Sequence, residues 1–299
     1  MREQSKNNIL SFQFHEHTRH LFLSFSFLGS LLISRLFTFL FVVYYNIYIM
    51  SLDHQRIPQR VFIVPYRDRE EEKNSFLAHM HNYLREHDDW EIFFAHQCDT
   101  RPFNRGATKN IGFLAIKDKY PEHYQNITFI FHDVDNYPRI NGSVPYTTTL
   151  GVVSHFYGYK YTLGGMFAIK GQDFELTKGF PNLWGWGFED NEIQNRCISA
   201  GLQIDRSSFF PINDPAIVHK SNGQYRVFSA NEIIGYNRGI LDNITSLKNL
   251  SWDVDGTMIN ITGFDTETLP EHQDFRRHNI KTSRVTLRRR GRGRPMVFG

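Results

Sequence analysis

From Arg60 onward the chain alternates short apolar runs with longer stretches whose apolar residues recur every three or four positions. "RVFIV" (residues 60–64) is rich in β-branched residues and stops at Pro65, the pattern of a buried strand running into a loop. Phe76, Met80, Tyr83 and Leu84 then share one face of a helix. Glu70, Glu71 and Glu72 precede them, where the positive end of a helix dipole favours carboxylates. "WEIFFA" (90–95) reads as a second strand, and Asn104 is placed to cap a second helix that runs through Ile111, Leu114 and Ala115 to a stop near Pro121. "ITFIFHDVD" (127–135) reads as a third strand ending in acid, with Val134 facing the opposite way from Asp133 and Asp135 and packing inward. Strand, helix, strand, helix, strand is the order of an open, largely parallel α/β sheet, whose ligands sit beyond the carboxyl ends of the strands.

"VPYRDR", "FNRG" and "DVD" all fall at such ends, so Arg67, Arg69 and Arg105 converge there with Asp133 and Asp135. Arginine forks suit phosphate oxygens, and a carboxylate pair suits a hard cation bridging those oxygens. Taken singly, a loop arginine is usually a solvated charge and a D-x-D usually turns the chain. Their convergence carries the reading. A second cluster follows at "WGWGFEDNEIQNR" (184–196), just ahead of a predicted helix. Gly185 and Gly187 let a ligand approach the backbone, the tryptophans offer flat faces to the apolar faces of sugars, and the acids at 189, 190 and 192 are placed to catch hydroxyls. A single Trp is more often core than platform, but W-G-W-G followed by E-D is too particular for packing alone.

The N-terminus follows another pattern. Residues 21–50 are predominantly apolar with Arg35 as their only charge, long enough to cross a bilayer, and preceded by Arg2, Lys6 and Arg19. The expectation is a signal-anchor with residues 1–20 in the cytosol and the remainder on the far side of the membrane, a Golgi-like lumen in a eukaryote. The competing expectation is a soluble cytoplasmic protein opening at Met50. Residues 51–59 would be a linker, 60–265 a catalytic domain, and 266–299 an extension ending in the basic, disordered "RRRGRGRPMVFG". With 299 residues, 40% of them hydrophobic, the chain can bury a full-sized core. A net charge of +3 with dispersed cations gives no reason to expect a nucleic-acid partner, and Cys98 and Cys197 form neither a disulfide framework nor a metal cluster. Sequons at Asn126, Asn141, Asn243, Asn249 and Asn260 suit a lumenal domain, although Asn126 would begin a buried strand.

The blocks "VPYRDR", "FNRG", "FHDVDNYP", "GGMFAI", "GFPNLWGWGFEDNE" and "VHKSN" occur in the order of the β-1,4-galactosyltransferase family, which the chain resembles from about Arg60 to Arg226. The resemblance implies a glycosyltransferase-A fold, Rossmann-like with helices on both faces of a mostly parallel sheet. It implies Mn²⁺ and inverting transfer of galactose or N-acetylgalactosamine from UDP-Gal or UDP-GalNAc to a glycan acceptor such as a terminal N-acetylglucosamine, glucose or xylose. By the same resemblance Pro65, Tyr66, Arg67 and Arg69 match one nucleotide-binding loop, and Phe103, Asn104 and Arg105 match the other. Asp135 and His219 match metal ligands, Asp133 reaches toward the donor sugar, and Gly165 lies against the donor. Trp186 lies between donor and acceptor, Glu189 holds donor hydroxyls, and Asp190 matches the general base. The chain departs from the family at Ala216, where a methionine ligand is usual, at the acceptor positions Phe188 and Asn191, and at Thr162, where a larger tyrosine selects galactose. Neither cysteine matches the family's usual disulfide positions. A chondroitin-type transferase, which shares the W-G-x-E-D arrangement, is the alternative within the enzyme class, and Ala216, Phe188 and Asn191 leave open a nucleotide-sugar or glycan-binding protein without turnover. Nucleotidyl transfer would leave the tryptophan block unexplained.

Overall fold

The computed structural model describes residues 56–220, 225–239, 241–279, 285–287 and 296–298, together with Val43. The chain divides at Arg56, and the architecture belongs to the compact unit from Ile57 onward. The predicted membrane span and the "RRRGRGR" run lie outside the described residues, Val43 excepted; among those described, no helix is long and apolar enough to cross a membrane.

Strand β1 (Arg60–Tyr66) pairs in parallel with β2 (Trp90–Gln97) on one side and β3 (Thr128–His132) on the other. β12 (Met258–Asp265) continues the parallel set beyond β2, with β11 (Lys248–Asp255) antiparallel at that edge. Beyond β3, β6 (Met166–Lys170) and β5 (Val152–Gly158) are antiparallel, and β7 (Gln203–Asp205) and β8 (Phe210–Pro211) add to β5 in parallel. The first strand is longer than its sequence pattern predicts, running through Pro65. The ladder with β3 ends at Ile63, so no bond is asked of the missing Pro65 N–H on that side. The third strand is shorter: it ends at His132, and Asp133–Asp135 turn the chain into β4 (Asn136–Pro138), which leaves the sheet to pair with β9 (Ile217–His219). Asn126 is exposed, one turn ahead of the buried strand it was expected to begin.

The period-two alternation of β1 sorts its side chains onto two cores. Val61 and Ile63 join a cluster with Phe93, Ile111 and Ile116, under helix α2 (Arg105–Lys119); Phe62 and Val64 join another with Phe76 and Met80 of α1 (Glu70–Tyr83). Helices therefore cover both faces, and α4 (Glu189–Ser199) contributes Ile193 and Cys197 to the α2 side, after the short α3 (Gly171–Leu176). Asn104 caps α2 as expected, its Oδ1 accepting from the Ala107 N–H at 2.9 Å. Beyond residue 265 the chain remains attached to this unit: β13 (Phe275–Asn279) pairs with β10 (Tyr225–Ser229), which leads into α5 (Ala230–Arg238).

Candidate active site

The carboxyl ends of β1, β2 and β3 bring Arg69 to Asp135 and Arg105 to Asp133, whereas Arg67 turns to the loop after β2. The Arg105 guanidinium donates from Nη2 to Asp133 Oδ1 and from Nε to Glu189 Oε1, both at 2.7 Å, tying the turn after β3 to the start of α4. Arg69 Nη1 lies 3.8 Å from Asp135 Oδ2 and 3.6 Å from Glu72. Arg67 donates from Nη2 to the Asp99 carbonyl at 2.9 Å and from Nη1 to the Arg101 carbonyl, bracing the loop after β2. Each arginine expected to grip phosphate thus has a protein partner, and phosphate binding would exchange or share these bonds. Burial works against the Asp133 charge, but Arg105, helped by Lys109, outweighs it and holds the carboxyl below its ordinary range.

The nucleotide-side residues divide between surface and scaffold. Pro65 and Tyr66 end β1, and the Tyr66 ring is buried against Phe94 and His96 with the Lys73 ammonium 5.3 Å from its centre. Phe103 is half-buried. Asn104 is fully buried: besides capping α2, it donates from Nδ2 to the Asn182 carbonyl at 2.9 Å, so its side chain holds loops together.

The two tryptophans part company. Trp184 is core: it stacks on Phe264 and donates from Nε1 to Thr266 Oγ1 and to the Thr268 carbonyl, each at 2.8 Å. Trp186 stays half-exposed, its backbone N–H held by the Val227 carbonyl at 2.7 Å and Arg226 lying 5.9 Å from its ring. Gly185 makes the turn between them with φ +87°, and a Cβ there would come within 2.8 Å of the Val227 carbonyl. Phe188 reaches a left-handed φ of +69° just before α4, and its ring is buried against Tyr236 at 4.4 Å. Asn191 is buried beneath the same helix start.

Glu189 and Asp190 open α4. Glu189 is buried against Arg105, and Asp190 Oδ1 accepts from the Lys109 ammonium at 2.9 Å. Burial pushes Asp190 up to about 6, against the pull of Lys109. A quarter of the side chain remains exposed, so the group is crowded by protein but open to a ligand. On its other side a Cβ on Gly164 would lie 2.5 Å from Asp190 Oδ2, and the Leu163 N–H donates to the Asp190 carbonyl at 2.9 Å. Gly165 follows with φ +75°, held against the Tyr157 carbonyl, where a Cβ would come to 2.4 Å.

Asp135 and His219 meet where β4 pairs with β9, Asp135 standing one residue before the Asn136–His219 rung. Tyr157 Oη lies 3.2 Å from His219 Nδ1, orienting the ring and leaving Nε2 for a ligand. Asn136 Oδ1 is buried beside Asp135 without a hydrogen-bond partner, an oxygen donor in the environment a hard cation favours. Among the described residues no group of three or more His, Cys, Asp and Glu that could hold a metal is present; Asp135 and His219, the expected ligands, lie on the neighbouring segments where β4 pairs with β9. Ala216 supplies no ligand.

Sequence reasoning missed Lys109, Gly164, Tyr157 and Arg226. Lys109 was legible in one respect: it stands four residues after Arg105, on the same helical face, as Asp190 stands next to Glu189. The contacts of Gly164 and Tyr157 arise between distant segments.

Residues 53–147 match the family model described as the N-terminal region of glycosyl transferase group 7, and residues 145–220 match the one described as the N-terminal domain of galactosyltransferase. The chain belongs to the β-1,4-galactosyltransferase family. Relatives in that family include mouse β-1,4-galactosyltransferase 7, 35% identical over 178 residues that make up 53% of this chain and 52% of the relative. Cricetulus griseus β-1,4-galactosyltransferase 4 is 34% identical over 160 residues, 50% of this chain and 45% of that one. The chain thus spans about half the length of the curated relatives it matches. Among solved structures, the catalytic domain of Drosophila β-1,4-galactosyltransferase 7 in complex with xylobiose is similar with a TM-score of 0.54 at 24% identity, covering 69% of this chain and 94% of that one. A mutant of the same fly enzyme in complex with manganese, UDP-Gal and xylobiose is similar with a TM-score of 0.50 at 23% identity, with the same coverage. This family member shares their glycosyltransferase-A fold.

Proposed function

We propose that the chain is an inverting galactosyltransferase that moves galactose from UDP-Gal to a terminal sugar hydroxyl in β-linkage. The observation that carries the proposal is Asp190, a partly exposed carboxylate pushed up to about 6 and set at a helix start beside the half-exposed Trp186. Asp190 accepts the proton of the acceptor hydroxyl as that oxygen attacks the anomeric carbon, and Trp186 presents a flat face to the sugars. Glu189 holds donor hydroxyls while Arg105 fixes its carboxylate. Asp135 and His219 would hold Mn²⁺, which supplies neutralisation of the charge on the departing diphosphate. Arg67, Arg69, Phe103 and Tyr66 line the nucleotide side, and Phe188 and Asn191 shape the acceptor side from beneath.

Several finer points belong to the same proposal. Thr162, smaller than the family's usual tyrosine, leaves room for an N-acetyl group, which makes UDP-GalNAc a second donor to test. The fly relative was crystallised with xylobiose, and a xylose-type acceptor joins glucose and N-acetylglucosamine on the panel. Residues 21–50 would tether the domain in a lumenal compartment, a placement checked by membrane fractionation and protease protection of the full chain. The deciding experiment follows UDP release from each donor with Mn²⁺ present or chelated, with and without each acceptor. Metal-dependent release that rises with one acceptor and vanishes in Asp190→Asn supports the transferase. Donor binding without acceptor-stimulated release favours a nucleotide-sugar-binding protein.

A further inference from the structure

Lys109 is a buried cation that the reading above leaves without a task. It lies in the middle of a run of buried residues on α2, its side chain 3% exposed, with Nζ 4.6 Å from the centre of the Phe180 ring. A lysine so enclosed is costly unless paired, and its ion-pair partner is Asp190. The helix spacing makes the pairing systematic: Arg105 and Lys109, one turn apart on α2, meet the adjacent acids Glu189 and Asp190 at the start of α4.

We propose that Lys109 is the positioning residue for Asp190, its ammonium clamping Oδ1 so that the carboxylate presents Oδ2 across Gly164 to the acceptor hydroxyl. The inference rests on the reading of Asp190 as the general base. Two contacts define the carboxylate from opposite sides, Lys109 Nζ at 2.9 Å from Oδ1 and the bare Cα of Gly164 facing Oδ2. The charged groups facing Asp190 are Lys109 and Arg105 from α2, Glu189 from its own helix, and Asp133 from the turn after β3; the segment around Gly164 adds none. Arg105 is already engaged by Asp133 and Glu189, so Lys109 is the cation that directly compensates Asp190. Without it, burial and the two neighbouring carboxylates would act on Asp190 with only Arg105 opposing them.

The test compares wild type, Lys109→Met, Lys109→Gln and Asp190→Asn, all as the full chain with ¹³C-labelled aspartate side chains. The Asp190 resonance is identified by its loss in Asp190→Asn, and its titration is followed beside the pH profile of kcat/KM. Removing an opposite charge at this distance raises a carboxylate midpoint by ~1–3 units. The expected result is a rise of that size in both Lys109 variants, with the acid limb of kcat/KM moving up in step and the loss larger at pH 6.5 than at pH 8.5. An unmoved midpoint in a variant that still melts cooperatively overturns the proposal. Should neither variant fold, the wild-type protein still decides: the ¹⁵Nζ resonance of Lys109 is expected to shift in Asp190→Asn, and no shift overturns the pairing. Wild-type protein without turnover on any acceptor would refute the transferase reading while leaving the NMR titration to judge Lys109.

Discussion

Gly164→Ala separates catalysis from stability. Gly164 has no left-handed φ, so alanine fits its backbone, and the collision is with one group: the new Cβ would lie 2.5 Å from Asp190 Oδ2 and 3.0 Å from its Cγ. Ordinary contact for such atoms begins near ~3.5 Å, so the carboxylate must retreat by about 1 Å. It is the end of a side chain, and an off-rotamer shift of that kind costs about 0.5–1.5 kcal/mol. The same displacement of a reacting group costs roughly 10²-fold in rate, or about 2.7 kcal/mol of transition-state stabilisation. The assay is kcat and donor KM by UDP release, beside a denaturant midpoint. The expected outcome is kcat down roughly a hundredfold with donor KM nearly unchanged and a small loss of stability. The double variant with Asp190→Asn should lose little more than Asp190→Asn alone, because both act on one group. If Gly164→Ala keeps kcat within about threefold of wild type, the placement of Asp190 against this glycine does not govern proton removal, and the reasoning fails.

Trp184→Ala is expected to cost about 3–5 kcal/mol in a denaturation curve, whereas Trp186→Ala should leave stability nearly intact and weaken turnover; similar stability losses for both would contradict their separate roles. Burial pushes Glu232 up to about 7 from an ordinary 4.5, so its contribution to stability is complete below 4.5 and is lost as pH rises through about 7. Glu232→Gln should therefore melt higher than wild type at pH 8 and like it at pH 4, and an equal difference at both pH values would refute the assignment. Tyr157→Phe removes the hydroxyl that orients His219 and should weaken Mn²⁺ binding roughly tenfold or more in an EPR titration without acceptor. Unchanged Mn²⁺ affinity would show that the ring needs no such support.

Much of the scaffold was legible because it rests on local rules. Residues three and four apart share a helix face, so Phe76, Met80 and Tyr83 on α1 followed from spacing, and the split of Val61 from Phe62 between the two cores obeys the strand's period of two. Asn104 announced its helix because a cap is a contact with the next few residues. Strand ends were less legible. Pro65 stays in β1 and Asp133 leaves β3 because a strand's length depends on the reach of its neighbours, which single-strand periodicity does not encode.

The site divides along the same line. By itself the sequence determined which chemical groups are present and that they gather at the carboxyl end of a parallel sheet, because strand order and loop position follow from the local pattern. Tertiary structure decided what each group does. It buried Trp184 and left Trp186 half-exposed, though the two share one motif, because Phe264 and Thr266 from the far end of the unit cover only the first. It paired Arg105 with Asp133 and Glu189, and Lys109 with Asp190, across separations of 28, 84 and 81 residues. The strength of an ion pair and the shift of a carboxylate depend on distance and burial in space, quantities that exist only once the chain has folded.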